Sequence, residues 1–260
     1  MAAGPLGDLL TGLCGYYLKV IEDKSVLAVV PARFGSKGLP RKNLMPLAGQ
    51  PLVAYPVKAA LNSKYVDHVF CSTESKEIAN LASIAGADIT YSRPENLALD
   101  QTTSVEVLLD ALNYFESVNK TFDFVLMLEP TSPMTDSTDI DLALEALMSG
   151  NGEFENLVSI AETIGGHPQF TFRVTEDGSL QPYDKLDWKF KRRQELEQLF
   201  FQTGSLYISE VSALKRNKSF ISKKTLGFEV PKIKSFEIDD LIDFKIVEML
   251  LLDLKNAGLS

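Results

Sequence analysis

From Pro31 to Asn43 the chain reads PARFGSKGLPRKN, setting four cations, Arg33, Lys37, Arg41 and Lys42, around two glycines, Gly35 and Gly38. Glycine lets backbone approach a phosphate closely, and clustered Lys and Arg supply countercharge, so this loop has the chemistry of a polyanion cradle. Two familiar phosphate loops are excluded. Gly38 is followed by Leu39, so there is no Gly-Lys-Ser or Gly-Lys-Thr, and the spacing of Gly35 and Gly38 does not fit GxGxxG. A second stretch, LMLEPTSPM from Leu126 to Met134, offers the hydroxyls of Thr131 and Ser132 on a turn stiffened by prolines, whose N–H groups can face a ligand. A third, SFEIDDLIDF from Ser235 to Phe244, is rich in hard oxygen donors. If its start is extended, Glu237 and Asp239 point to the same side, and Mg²⁺ commonly takes one or two such carboxylates beside phosphate.

These loops need elements to hold them. Val26–Val30 is a short run of strand formers, as in a strand buried on both faces, and Leu44, Leu47, Leu52, Val53 and Val57 lead into a helix over 51–62. The cationic loop therefore leaves the C-terminal end of a first strand, where open α/β sheets place ligands. The alternation continues with a strand over 66–72, a helix over 75–86 stopped by Gly86, and a short strand over 89–91. A helix over 104–115, a central strand over 124–128, a helix over 138–148 and a strand over 157–161 follow. Beyond them come a strand over 204–208, a helix near 210–217 and a closing amphipathic helix over 241–254, capped by Asp240 with Asp243 in its first turn. The fold class is α/β: an open, mostly parallel sheet with helices on both faces.

Two segments stand apart. Residues 165–200 are polar, carry a hairpin signal at Glu176-Asp177-Gly178, and include Phe172, Trp188 and Phe190, which water would accommodate poorly. Structureless loops of about 35 residues are unusual, so this insertion is expected to have structure of its own or a partner. Its charge run, Lys189–Arg193, reads as a solvated face or as cations for an acidic substrate. Residues 1–25 form an N-terminal extension before a domain over 26–260. Leu9, Leu10, Leu13, Tyr17 and Leu18 could line a short helix as readily as the segment could be disordered. No basic run precedes its apolar part, so a signal peptide is a poor reading.

The 260 residues suit one large α/β domain with a small appendage, and 45% hydrophobic and 23% charged residues are those of a globular protein. A net charge of −9 argues against non-specific nucleic-acid or membrane-surface binding, so an anionic substrate must be met by local cations. Two cysteines, Cys14 and Cys71, make no disulfide framework; Cys71 in an apolar run reads as a buried reduced thiol, which fits a cytoplasmic setting. With only His68 and His167 to add, Cys/His metal sites are disfavoured, and no apolar run has the length of a membrane span.

The run Pro31, Ala32, Arg33, Gly35, Ser36, Lys37, Gly38, Pro40, Lys42, Asn43 resembles the PAR-x-GSKG-x-P-x-KN signature of the acylneuraminate (sialic acid) cytidylyltransferases, the CMP-nonulosonate synthetases. The resemblance extends from about Val26 to Leu254. It implies a Rossmann-like nucleotidyltransferase fold and a Mg²⁺-dependent coupling of CTP to an acidic nine-carbon sugar, with release of pyrophosphate. It places Arg33 and Lys37 on the phosphates as catalytic cations, with Ala32, Gly35, Ser36 and Asn43 around the nucleotide. Ser72-Thr73-Glu74 matches the family's S-T-D/E, and Arg93 to Ser104 matches RP-x-x-LA-x-D-x-x-S. Ser72, Thr73, Arg93, Asp100 and Ser104 are thereby assigned to the base and ribose. LMLEPTSPM resembles LLQPTSPLR, which brings Glu129, Thr131 and Ser132 to the sugar, and FQTGSLYI resembles RPNGAIYI, which adds Thr203 and Gly204. Glu237 and Asp239 fall on the D-x-D metal pair, with Asp239 the preferred, catalytic ligand. The insertion would be an arm exchanged within a homodimer, bringing Arg193 and Gln194 to the sugar.

The match has departures. Glu129 stands where many relatives have Gln, Thr135 where they have Arg, and Glu237 replaces the first Asp. Phe201 and Thr203 replace the Arg and Asn of N-acetylneuraminate users, and that Arg can pair with the sugar carboxylate. The sugar could be of the legionaminic or pseudaminic type, or its carboxylate could be met by Arg192, Arg193 or Gln194. A nucleotidyltransferase for 3-deoxy-manno-octulosonate or a sugar 1-phosphate is the enzymatic alternative, although GSKGLPRKN and RRQ favour the nonulosonate side. A non-catalytic nucleotide-binding homologue is the alternative from another class.

Overall fold

A computed structural model describes residues 24–36, 38–150, 152–163, 166–183 and 192–258, except for the side chain of Arg193. Lys37, Trp188, Phe190 and the segment expected to be a helix or disordered before residue 24 lie outside that description. The first strand, β1 (Val26–Pro31), alternates between two buried layers, as a central parallel strand must. Val26, Ala28 and Val30 join one layer with α1 (Ala54–Leu61), α2 (Lys76–Ala85) and α4 (Ser137–Ser149), through Val57, Ile78 and Ile140. Leu27 and Val29 join the other with α3 (Ser104–Ser117) and α5 (Val211–Asn217), through Leu108, Leu112 and Leu214.

Six strands form the sheet. Beside β1 lie β4 (His68–Ser72) and β5 (Phe124–Met127), both parallel to it. At the other edge, β6 (Asn156–Glu162) pairs in parallel with β10 (Thr225–Glu229). Between the two groups runs β9 (Phe200–Glu210), antiparallel to both β5 and β6, giving the order β10-β6-β9-β5-β1-β4. This is the expected open, mostly parallel α/β sheet with both faces covered. Two small antiparallel pairs accompany it: β2 (Pro46–Leu47) with β3 (Gln50–Pro51), and the hairpin β7 (Phe172–Val174) with β8 (Leu180–Pro182). The hairpin turns at Gly178, whose φ of +82° suits glycine.

A third, smaller core lies under the ligand-side loops. Leu47 and Leu52 from the β2–β3 pair, Met134 from the turn after β5, Ile238, and Phe244, Val247 and Leu251 of α6 (Leu241–Asn256) pack together. It fixes the acidic segment before α6 against the first and second loops. Asp240 caps α6 as expected, accepting from Ile242 and Asp243 N–H while Asp243 answers its own N–H.

Three expectations differ from what is observed. No strand forms over 89–91: after a single bridge from Asp88 to Phe70, the Asp88 carboxylate accepts the N–H of Thr90 at 2.8 Å and turns the chain away from the sheet. The strand expected over 204–208 starts at Phe200 and runs antiparallel. β10 was not anticipated, because Gly227 breaks its alternation; a Cβ there would stand 2.8 Å from Ile160 Cδ1, so close packing on β6 calls for glycine. Leu126 is fully buried at the centre of the larger core. Leu126→Ala is expected to lower unfolding stability by about 2–5 kcal/mol in a denaturant titration, through transfer and cavity terms together.

Candidate active site

The two loops leaving the C-terminal ends of β1 and β5 face one another across a cleft of about 280 Å³. Its first wall is the cationic loop. The N–H of Ala32 continues β1 onto the carbonyl of Ser72 at 2.9 Å, and the side-chain amide of Asn43 closes the loop onto the carbonyl of Arg33, also at 2.9 Å. Arg33 extends into the cleft and pairs with Asp100 at 2.7 Å. Phe34 donates its N–H to Glu74 at 2.7 Å, and Arg41, in the left-handed region at φ 59°, pairs with Glu77 and covers the Phe34 ring. Backbone geometry thus turns Arg41 away from Lys42. Lys42 instead reaches the acidic segment and donates to the carbonyl of Ile238 at 2.9 Å, with Asp239 Oδ1 at 3.5 Å.

Gly38 marks the tightest contact of this wall. A Cβ there would lie 2.2 Å from the carbonyl oxygen of Asp239, so only glycine permits this approach of the first loop to the acidic segment. The floor is Arg93, buried to 5% exposure, whose guanidinium donates to the hydroxyl and the carbonyl of Ser72. Leu97, Leu99 and Thr102, and Glu129, Pro130 and Thr131 of the turn after β5, complete the lining.

Of the residues singled out from sequence, Arg33, Gly35, Ser36, Asn43, Arg93, Asp100, Ser104, Glu129 and Thr131 line this one cleft. Ala32, Ser72 and Thr73 lie beneath it: Ser72 holds Arg93, and the Thr73 hydroxyl accepts the N–H of Ser75 at 3.1 Å. Ser132 is buried, its hydroxyl without a protein partner among the described residues. Thr203 does not reach the cleft; it is fully buried and its hydroxyl donates to Ser159 at 2.7 Å. Gly204 contributes its N–H to the carboxylate of Glu237, and a side chain there would collide with that carboxylate. Gln194 is exposed and outside the cleft, Arg192 pairs with Glu195, and Phe201 is exposed at the start of β9. Sequence reasoning counted Lys42 among the cations of the loop but gave it no individual role, and its contact with Ile238 was not foreseen. Cys71 is buried and free, its thiol pushed up to about 12 by burial, and has no part in the chemistry.

Glu129, Glu237 and Asp239 lie close enough to influence one another. Burial, then the charge of Glu237, pushes the Glu129 carboxyl up to about 7. Burial, and after it Asp239, also raises Glu237 against the N–H of Gly204. No group of three His, Cys, Asp or Glu side chains among the described residues is arranged to hold a metal. Glu237 and Asp239 are nonetheless hard oxygen donors beside a phosphate-sized cleft, and one or two carboxylates with phosphate oxygens satisfy Mg²⁺. The donor set therefore fits a cation shared with a nucleotide.

The cytidylyltransferase family model matches residues 27–257. The chain belongs to that family. Its relatives include the CMP-N,N'-diacetyllegionaminic acid synthase of Legionella pneumophila, 35% identical over 87% of this chain and 96% of that one. An N-acylneuraminate cytidylyltransferase of Escherichia coli is 33% identical over 85% of this chain; the chain spans only 51% of that protein's length. The family's fold agrees with a solved CMP:2-keto-3-deoxy-manno-octonic acid synthetase complexed with CTP, at a TM-score of 0.64 and 15% identity over 88% of this chain and 99% of that one. No helix among the described residues is long and apolar enough to cross a membrane.

The Glu129 environment has a measurable consequence. Its carboxyl stays neutral in the folded protein up to about 7, whereas the unfolded chain ionises it near the ordinary 4.5, so its contribution to stability falls as pH rises between these values. Glu129→Gln imitates the neutral form. In the nucleotide-free protein it is expected to exceed the wild type by about 2–3 kcal/mol above roughly pH 8 and to equal it near about pH 4.5. Urea titrations at the two pH values measure this, and a difference that did not change with pH would remove the inferred ionisation.

Proposed function

We propose that the protein couples CTP to a nonulosonic acid, giving the CMP-sugar and pyrophosphate. The observation that carries this reading is that Arg33 and Lys42 of the first loop line one cleft with the Glu129–Thr131 turn, while Lys42 also contacts the segment that bears Asp239. In-line attack of the sugar's anomeric oxygen on the α-phosphorus needs cations along the triphosphate and a held nucleophile. Arg33 and Lys42, with Lys37 of the same loop, meet the phosphates as charge passes to the leaving pyrophosphate. Arg93 sits where cytosine would enter, with its orientation fixed by Ser72. Asp100 and Ser104 flank the ribose, and Glu129 and Thr131 position the sugar. Glu237 and Asp239 would hold Mg²⁺ together with the phosphates, and that ion supplies neutralisation of phosphate charge when bound.

The sugar class rests on the relatives, which are named for diacetyllegionaminic acid, N-acylneuraminate and, in Campylobacter jejuni at 28% identity, pseudaminic acid. Phe201 and Thr203 stand where N-acetylneuraminate users carry Arg and Asn, and the legionaminic type is taken from the 35% identical relative named for it. A homodimer is part of the proposal, formed through the arm over 165–200. Val174, Leu180 and Tyr183 of the hairpin and Phe200 and Phe201 of β9 expose apolar surface that a second copy would cover.

Two outcomes test the reading. CTP with Mg²⁺ is expected to raise the melting temperature more than ATP, GTP or UTP, the linkage amounting to about 2.7 kcal/mol at a hundredfold excess over Kd. Equal shifts with all four nucleotides would argue against a cytosine pocket. Asp239→Asn keeps the side-chain shape but loses the charge that a hard cation requires. It is expected to raise the Mg²⁺ concentration for half-maximal pyrophosphate release while leaving unfolding unchanged, and a wild-type Mg²⁺ titration would reassign the acidic segment.

A further inference from the structure

The acidic segment is anchored at a point outside the cleft. Lys234, in the short helical turn Lys232–Ser235, places its ammonium 2.6 Å from Asp136 Oδ2 and 2.6 Å from Asp139 Oδ2. Those two acids already form the capping box at the start of α4. Asp136 accepts the N–H groups of Thr138 and Asp139, and Asp139 accepts the N–H of Asp136. A capping box is complete without a cation, so Lys234 adds a link of a different kind. It joins the helix that follows the second loop to the segment bearing Glu237 and Asp239.

The backbone on either side carries this link into the site. The carbonyl of Lys234 accepts from Ser205 Oγ at 2.9 Å, next to the Gly204 N–H that holds Glu237. Four residues on from the ammonium's own Cα, the N–H of Ile238 donates to the carbonyl of Thr131 at 2.8 Å. The segment is therefore fastened at both ends: to the start of α4 by the ion pairs of Lys234, and to the second loop by the backbone bond at Ile238. The Lys234 side chain is only 20% exposed, so its pairing is shielded from solvent more than that of an ordinary surface lysine.

We propose that Lys234 is a positioning residue whose ion pairs with Asp136 and Asp139 set Glu237 and Asp239 against the second loop, and so tune the affinity for the divalent cation taken up with the nucleotide. The inference rests on the reading of Glu237 and Asp239 as cation ligands. Its test uses Mn²⁺ as a paramagnetic probe, titrated by electron paramagnetic resonance into the whole protein saturated with a non-hydrolysable CTP analogue. Lys234→Met is expected to weaken Mn²⁺ binding by about 10-fold, the low end of what losing a direct partner of a metal ligand costs, because Lys234 acts on the ligands through the backbone. Analogue binding in EDTA should stay within about twofold of wild type, and Lys234→Arg, which keeps the charge and can span two carboxylates, should restore most of the Mn²⁺ affinity. Asp136→Asn, which can still cap α4, provides a milder variant should Lys234→Met fold poorly, and is expected to weaken Mn²⁺ binding in the same direction. Unchanged Mn²⁺ affinity in both Lys234→Met and Asp136→Asn, with Asp239→Asn strongly impaired, would overturn the positioning role alone. Unchanged affinity in Asp239→Asn would overturn the cation assignment and this inference with it.

Discussion

The hydrogen bond from the Lys42 ammonium to the carbonyl of Ile238 holds the site together. It connects residues 196 positions apart, joining the loop after the first strand to the segment before the last helix. An ammonium has three donors, and Lys42 commits one to the carbonyl while Asp239 lies at 3.5 Å, so capacity remains for a phosphate. Together with the Gly38 contact and the third core, this bond keeps the cations next to the carboxylates. With it, Lys42 of the cleft wall stands beside the carboxylate of Asp239. In a chain of net charge −9, that local set of cations is what makes a polyanion site workable.

The neighbouring contacts serve the same closure by different means. Gly38 leaves out a side chain so that backbone can meet backbone at Asp239. Ile238 turns its side chain into the third core beside Leu47, Leu52 and Met134, while its N–H and carbonyl face the second and first loops. The apolar half of this residue fixes depth and the polar half fixes register. Packing is hard to compress, so the third core sets the position of the acidic segment as firmly as any polar contact.

Much of this was legible from residue order. The cationic loop and the EPTSP turn each follow a strand, and βα alternation alone places strand ends on one side of a sheet. Asp240 as a cap and Gly86 as a helix stop were also readable, because local chemistry dictates both. What could not be read was long-range pairing. Nothing in the alternation of β9 distinguishes a parallel from an antiparallel neighbour, and Thr203 looks like a ligand hydroxyl until Ser159 is found opposite it. The contact of Lys42 was unreadable for the same reason: its partner lies near the other end of the chain.

The antiparallel strand also has a consequence for the order of assembly. β4, β1 and β5 can pair as soon as they are made, but β6 has no place beside them until β9 arrives to lie between β5 and β6. During synthesis, the strand over 156–162 must therefore wait about 40 residues with an unpaired edge, the state in which chains most readily associate wrongly. The short α5 and β10 can complete the far edge only after that insertion. The nucleotide side, by contrast, waits on no inserted strand but on the acidic segment at 236–240, so the sheet closes before the cleft does.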